Sequence, residues 1–168
     1  MSGIIPTYAF TTSSNAGLMA RLTNDVSISQ NNETISVLAL WDTGASSTCI
    51  SAEVAKRLSL IPTGMKNIHT AGGIRQVNTY LVDITLPNNV SVSGVEVCDS
   101  EIGDQGIGIL IGMDIITKGD FSVSNFNNTT VFSFRIPSRS RTDYVLEVRK
   151  ENLTGTHGKG KRNKKRKK

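Results

Sequence analysis

The run Val37-Leu38-Ala39-Leu40-Trp41 places five apolar residues in succession ahead of Asp42. It predicts a strand covered on both faces, because a half-exposed strand alternates apolar with polar positions. Around this run the pattern has period two. Gly17–Ser29, Val90–Val97, Phe121–Ser124 and Thr130–Ile136 all alternate, and Met65–Thr70 and Ile74–Leu86 read as two further strands. Between them lie turn signals at Gln30-Asn31-Asn32-Glu33, Thr70-Ala71-Gly72-Gly73, Pro87-Asn88-Asn89 and Asn127-Asn128. A short strand is also expected at Ser46–Ile50. Before the tail, helical spacing is confined to two short segments. Ser51 is a plausible N-cap for Ala52–Leu60, with Val54, Ala55 and Leu58 as its buried stripe, and Asp114–Lys118 is a helix stopped by Gly119. The fold class is therefore mostly β.

At 168 residues the chain suits one domain with appendages. The reading divides it into an N-terminal arm (1–16), a folded domain (17–136) and a linker with a basic tail (137–168). The arm carries Ile4, Ile5, Tyr8 and Phe10, and reads either as a short pairing strand or as a loose extension. Charge sharpens the division. Residues 1–136 hold seven Lys and Arg against eleven Asp and Glu, whereas 137–168 hold twelve against three. The folded part is thus mildly acidic, and the overall basicity belongs to the tail. Tyr144–Lys150 suits one or two helical turns, and eight of the ten residues Lys159–Lys168 are Lys or Arg. Such a run builds no core. It reads either as a nonspecific contact to nucleic acid or another anionic surface, or as a solubilising tail.

Met1–Ala20 lacks the basic start and apolar centre of an export signal, and no segment is apolar over the length a membrane span needs. Cys49 and Cys98 fall in or beside predicted buried segments and read as reduced core thiols, which suits a cytoplasmic location. His69 and His157 have no Cys or carboxylate at ligand spacing, and the acids of 99–108 lack calcium-loop spacing, so neither a metal nor a cofactor is expected.

The chemistry centres on Asp42. A carboxylate delivered by an apolar strand into a tight turn has its proton affinity set by burial and by nearby charge. Thr43 supplies a hydroxyl, while Gly44 and Ala45 keep the turn narrow. Acid-base work on water and a carbonyl needs a second acid, since one carboxylate cannot give and take a proton at once. The hydroxyls of Ser46–Thr48 either face a substrate or satisfy their own turn.

Asp42-Thr43-Gly44-Ala45, the paired glycines Gly72-Gly73, and Ile109-Leu110-Ile111-Gly112-Met113-Asp114 together resemble the retropepsin-like, single-domain aspartic proteases. The likeness covers roughly Leu18–Ile136. It implies a closed or half barrel with a flap hairpin and short helices, working as a homodimer in which Asp42 from each copy forms the catalytic dyad. It also implies that Thr43 and Gly44 brace the dyad. Ala45, Ser46, the flap residues Ala71, Gly72 and Gly73, and Ile111 would line a cleft for a peptide or protein substrate. Gly112 would permit a close strand crossing, and Asp114 would be structural, as a helix cap, and not the second acid.

The implied activity is an aspartic endopeptidase whose two Asp42 carboxylates share a proton and titrate as a unit. Ala45 replaces the serine or threonine of pepsin-like relatives, so a working pH less acidic than theirs is expected. Two departures from the pattern stand out. Ser46 and Met113 stand where retroviral members pair an acid with an arginine, and Trp41 is bulkier than the usual aliphatic residue. The competing reading is a noncatalytic dimeric peptide-binding module of the same fold, tethered to nucleic acid by its tail.

Overall fold

The computed structural model describes residues 6–70 and 73–156. In chain order the strands are β1 (Tyr8–Ser13), β2 (Thr23–Gln30), β3 (Glu33–Trp41), β4 (Cys49–Ser51), β5 (Gly64–Thr70), β6 (Gly73–Thr85), β7 (Ser91–Ser100), β8 (Ile109–Ile111), β9 (Asp120–Phe126) and β10 (Thr129–Ile136). The helices are α1 (Ala52–Arg57), α2 (Met113–Ile116) and α3 (Tyr144–Thr156). Paired asparagines make two of the hairpins. Asn31 and Asn32 take φ of 51° and 68°, and Asn127 and Asn128 take 49° and 58°. Two consecutive left-handed residues give the turn whose twist matches antiparallel strands, and asparagine tolerates that region well.

Six strands form a closed barrel in the order β2-β3-β8-β4-β7-β6, with β6 returning to pair with β2. β5 extends from β6 as the outer strand of a hairpin whose last described pair is Thr70 with Gly73. Parallel pairing occurs twice. β3 runs beside β8 with Trp41 opposite Ile111, and β4 runs beside β7 with Cys49 opposite Cys98. A second sheet, β1-β10-β9, lies outside the barrel. Residues 8–13 therefore form a strand of the domain, antiparallel to β10 from Tyr8↔Ile136 to Ser13↔Val131, with Phe10 in the core.

Aromatic packing joins the two sheets. Trp41 stacks on Phe121 with centroids 5.5 Å apart and an interplanar angle of 11°, and it meets Phe134 at 5.2 Å and Phe10 at 5.6 Å. Its indole N–H donates to the Asn24 side chain, which satisfies the one polar atom of a buried ring. The bulk of Trp41 thus fills the gap between the barrel and the β1-β10-β9 sheet.

Several expectations shift. The apolar run of β3 alternates after all: Val37, Ala39 and Trp41 are buried, Leu40 is half-buried and Leu38 is exposed. A closed barrel has one interior, so every second residue of this strand faces outward whatever its polarity. Residues 17–22 are not a strand. Leu18 is exposed, while Leu22 packs on the core and its carbonyl accepts the Trp41 N–H at 2.9 Å. α1 has the expected cap, Ser51 Oγ accepting from Val54 N at 3.3 Å, but its helical residues stop at Arg57. β7 runs on to Ser100 because Cys98–Ser100 pair with β4. α3 is longer than expected and exposes Tyr144, Val145, Leu146, Val148 and Leu153. Residues 1–5, the flap-tip residues Ala71 and Gly72, and the basic tail Lys159–Lys168 with His157 lie outside the described residues. Among the described residues no helix is long and apolar enough to cross a membrane.

Candidate active site

Asp42 leaves the end of β3 and is fastened by its own main chain. Its N–H donates to the Ile111 carbonyl at 3.0 Å, continuing the β3–β8 pairing by one bond beyond the strand. Its Oδ1 accepts the Gly44 N–H at 2.8 Å, and its carbonyl accepts the Ala45 N–H at 3.3 Å. These contacts fold residues 42–45 into a turn that presents the carboxylate half-buried, with Thr43 and Gly44 exposed beside it. An ideal Cβ at residue 44 would stand 3.1 Å from Asp42 Oδ1. Glycine at this position therefore lets the main chain approach the carboxylate closely enough to donate to it.

Behind the turn, Thr48, Gly112 and Asp114 form one polar cluster. The fully buried Thr48 donates its hydroxyl to Asp114 Oδ1 at 2.7 Å and its N–H to Asp114 Oδ2 at 2.9 Å, while its Oγ1 accepts the Gly112 N–H at 3.2 Å. Met113 N donates to the Ala45 carbonyl at 2.8 Å. The start of α2 is thereby bonded to both ends of the segment that follows Asp42. A Cβ on Gly112 would fall 2.7 Å from the Ser47 carbonyl carbon and oxygen, and 3.0 Å from the Ala45 oxygen. Only glycine fits this crossing without moving main chain.

Contrary to the expectation from sequence, Asp114 does not cap α2: Gly112 holds the N-cap position. The carboxylate reaches across to Thr48 because that buried main-chain N–H and hydroxyl face it directly. Both its oxygens are occupied by donors, Ile115 N also binding Oδ1 at 2.9 Å. Asp114 braces the turn and is not presented as a second acid.

An open cavity of about 440 Å³ lies between residues 43–46 and the start of α2, lined by Ala45, Ser46, Met113 and Thr117 among others. The serine and methionine that stand in place of an ion pair thus border one shallow recess, together with Asp114. Ile111 does not reach a cleft. Its side chain is fully buried in the barrel, and what it offers the site is the carbonyl that holds Asp42. The alternation of β8 explains this: Ile109 and Ile111 point inward, and half-buried Leu110, paired with Leu40, takes the opposite face. Gly73 begins β6 with φ of 108°, at the base of the flap turn. Among the described residues no group of three or more His, Cys, Asp or Glu is placed to hold a metal ion.

A closed six-stranded barrel with an Asp-Thr-Gly turn fastened to a crossing strand has the retropepsin-like fold. The crystal structure of a retropepsin-like aspartic protease from Rickettsia conorii superposes with a TM-score of 0.50, covering 79% of this chain and 97% of that one at 16% identity. The EIAV protease complexed with the inhibitor HBY-793 is also similar, at 22% identity over 61% of this chain and 91% of that one, with a TM-score of 0.46. A search of curated proteins found no match. The family model described as "gag-polyprotein putative aspartyl protease" matches residues 26–118. That match spans more than half of the sequence and includes the whole site, and the chain belongs to this retropepsin-like aspartic protease family.

Proposed function

We propose that this protein is an aspartic endopeptidase whose active site is assembled from two copies of the chain. The observation that carries this reading is a deficit at Asp42. The turn presents one carboxylate, and the acid that borders the same recess, Asp114, is committed to Thr48 and Ile115. Peptide hydrolysis by carboxylates needs an acid and a base together, so the second is Asp42 of an identical chain related by a twofold axis. The half-buried placement of Asp42 and the exposure of Thr43 support it, since both groups remain available to a partner.

In the dimer the two carboxylates share one proton, because like charges so close do not both ionise readily. The ionised one takes a proton from water as the water attacks the scissile carbonyl. The protonated one donates to the carbonyl oxygen, giving a gem-diol. Collapse of the diol transfers a proton to the leaving nitrogen and frees the two peptide ends. Thr43 and Gly44 hold the two turns together, and the β5–β6 hairpin covers the extended substrate by main-chain hydrogen bonds. Ala45, Ser46 and Met113 provide the substrate-facing wall beside each turn.

The test is cleavage of a peptide library across mildly acidic to neutral pH by the wild-type chain and by Asp42→Asn, at several protein concentrations. Cleavage abolished in Asp42→Asn, with wild-type specific activity rising with concentration, is the expected result. A folded, dimeric wild-type protein without Asp42-dependent cleavage would overturn the proposal in favour of a noncatalytic peptide-binding dimer.

A further inference from the structure

Cys49 and Cys98 stand opposite one another on the parallel strands β4 and β7, with their sulfur atoms 2.7 Å apart and a hydrogen bond in which either can be the donor. Neighbouring strands lie about 4.8 Å apart, inside the range of about 4.4–6.8 Å over which a disulfide spans two Cα atoms. The register thus puts the two Cα atoms at a separation of the kind a disulfide spans. The pair also sits close to the site. Cys49 follows Thr48 directly, and the Cys98 N–H donates to the Thr48 carbonyl at 3.3 Å. Between the two cysteines in sequence lie α1 and the entire β5–β6 hairpin.

We propose that Cys49 and Cys98 are a redox-active dithiol, which a small-molecule disulfide such as oxidised glutathione closes to an intramolecular disulfide between β4 and β7. The two sulfurs have different roles because they differ in access. Cys98 is fully buried and Cys49 is partly exposed, so Cys49 is the sulfur that meets the oxidant. Once the pair has lost one proton to solvent, the remaining one passes along the hydrogen bond between the sulfurs, and the form with it on Cys98 presents Cys49 as thiolate. That thiolate attacks one sulfur of the small disulfide, whose S–S bond breaks and releases one thiolate. Cys98 then loses its proton and attacks Cys49 Sγ, the mixed disulfide breaks, and the second small thiolate leaves. Two protein thiols are oxidised by two electrons, one small disulfide is reduced, and the two protons go to the two released thiolates.

The electrostatics place the charge of the singly deprotonated pair mainly on the buried sulfur, which slows the first step. The hydrogen bond from Cys49 holds the Cys98 thiol down to about 7 against the opposing effect of burial, and Lys66 lowers it further, although Asp99 opposes this. Cys49 is pushed upward, first by its hydrogen bond with Cys98 and then by burial, so its thiolate is the minor form of the pair and access alone makes it the sulfur that reacts first. Closure ties the strand that follows the Asp42 turn to the strand beside β6, and encloses the flap hairpin in a covalent ring.

The experiment exposes the full reduced chain to excess oxidised glutathione, then counts thiols after denaturation and measures intact mass. The expected product has lost both thiols, is lighter by two hydrogens, reverts with dithiothreitol and melts at a higher temperature than the reduced protein. Cys49→Ser is expected to show neither the mass loss nor the melting shift. Cys98→Ala serves as the second variant, because it removes the buried thiol without adding a polar group. Two persistent thiols in the folded wild-type chain, a glutathione adduct on each cysteine, or a crosslink between chains would each overturn the proposal.

Discussion

Thr48→Val is the sharpest probe of how the Asp42 turn is held. The side chains have nearly the same shape, so the change deletes a hydroxyl and little else. In the wild type that hydroxyl is fully buried, donates to Asp114 Oδ1 at 2.7 Å and accepts from Gly112 N at 3.2 Å. The bond to an ionised carboxylate contributes about 1.5–3 kcal/mol and the neutral one about 1 kcal/mol, and a buried N–H left without its acceptor keeps its full desolvation cost. Thr48 N and Ile115 N still hold Asp114, which bounds the damage. The expected loss is about 3 kcal/mol, which for a domain of this size lowers the melting temperature by about 6–12 °C. Urea unfolding at one fixed protein concentration measures it, with an unchanged m-value expected because the same surface is exposed on unfolding. Cleavage activity should fall as well, since Asp114 and Met113 then hold residues 45–48 less firmly. A loss below about 1 kcal/mol would refute the reasoning, because it would mean that the hydroxyl is not the link between the turn and α2.

Two further changes test other parts of the same framework. Gly112→Ala places a methyl group 2.7 Å from the Ser47 main chain. The expected cost is about 1–3 kcal/mol by urea unfolding, as for an overpacked core, together with lost activity through the displaced Ala45 carbonyl. Asp120 is held well below the usual carboxylate range by the Ser138 hydroxyl first, then by the Arg139 N–H and the Arg135 guanidinium. Its folded value is depressed, so its stabilising effect is complete above the ordinary carboxylate value of about 3.9 and is lost as pH falls from there toward the folded value. Melting temperature measured down that acid range should fall less steeply in Asp120→Asn than in the wild type, and parallel slopes would refute the assignment.

The pattern of positions carried most of the strand content, because alternation and turn chemistry are local. The two Asn-Asn hairpins, the α1 stripe of Val54, Ala55 and Leu58, and the Asp-Thr-Gly turn can all be read from short windows. Helix ends were less legible. Asp114 looked like a cap from its place in the chain, whereas the buried Thr48, distant in sequence, claims its carboxylate. Ile111 looked like a cleft residue for a similar reason, since the inward phase of a three-residue strand depends on which neighbour it pairs with.

Residue order alone defines the chemistry available: one acid in a glycine turn, an apolar strand to carry it, and a second apolar strand ending in glycine to cross behind it. Residue type and near-neighbour spacing suffice for that. Only the tertiary structure decided that the apolar run of β3 faces outward at Leu38, that Trp41 fills the gap between two sheets, that β1 pairs with β10, and that Cys49 meets Cys98 across adjacent strands. Each depends on partners far apart in the chain, brought together by closure of the barrel, and such pairings leave no mark on a local pattern.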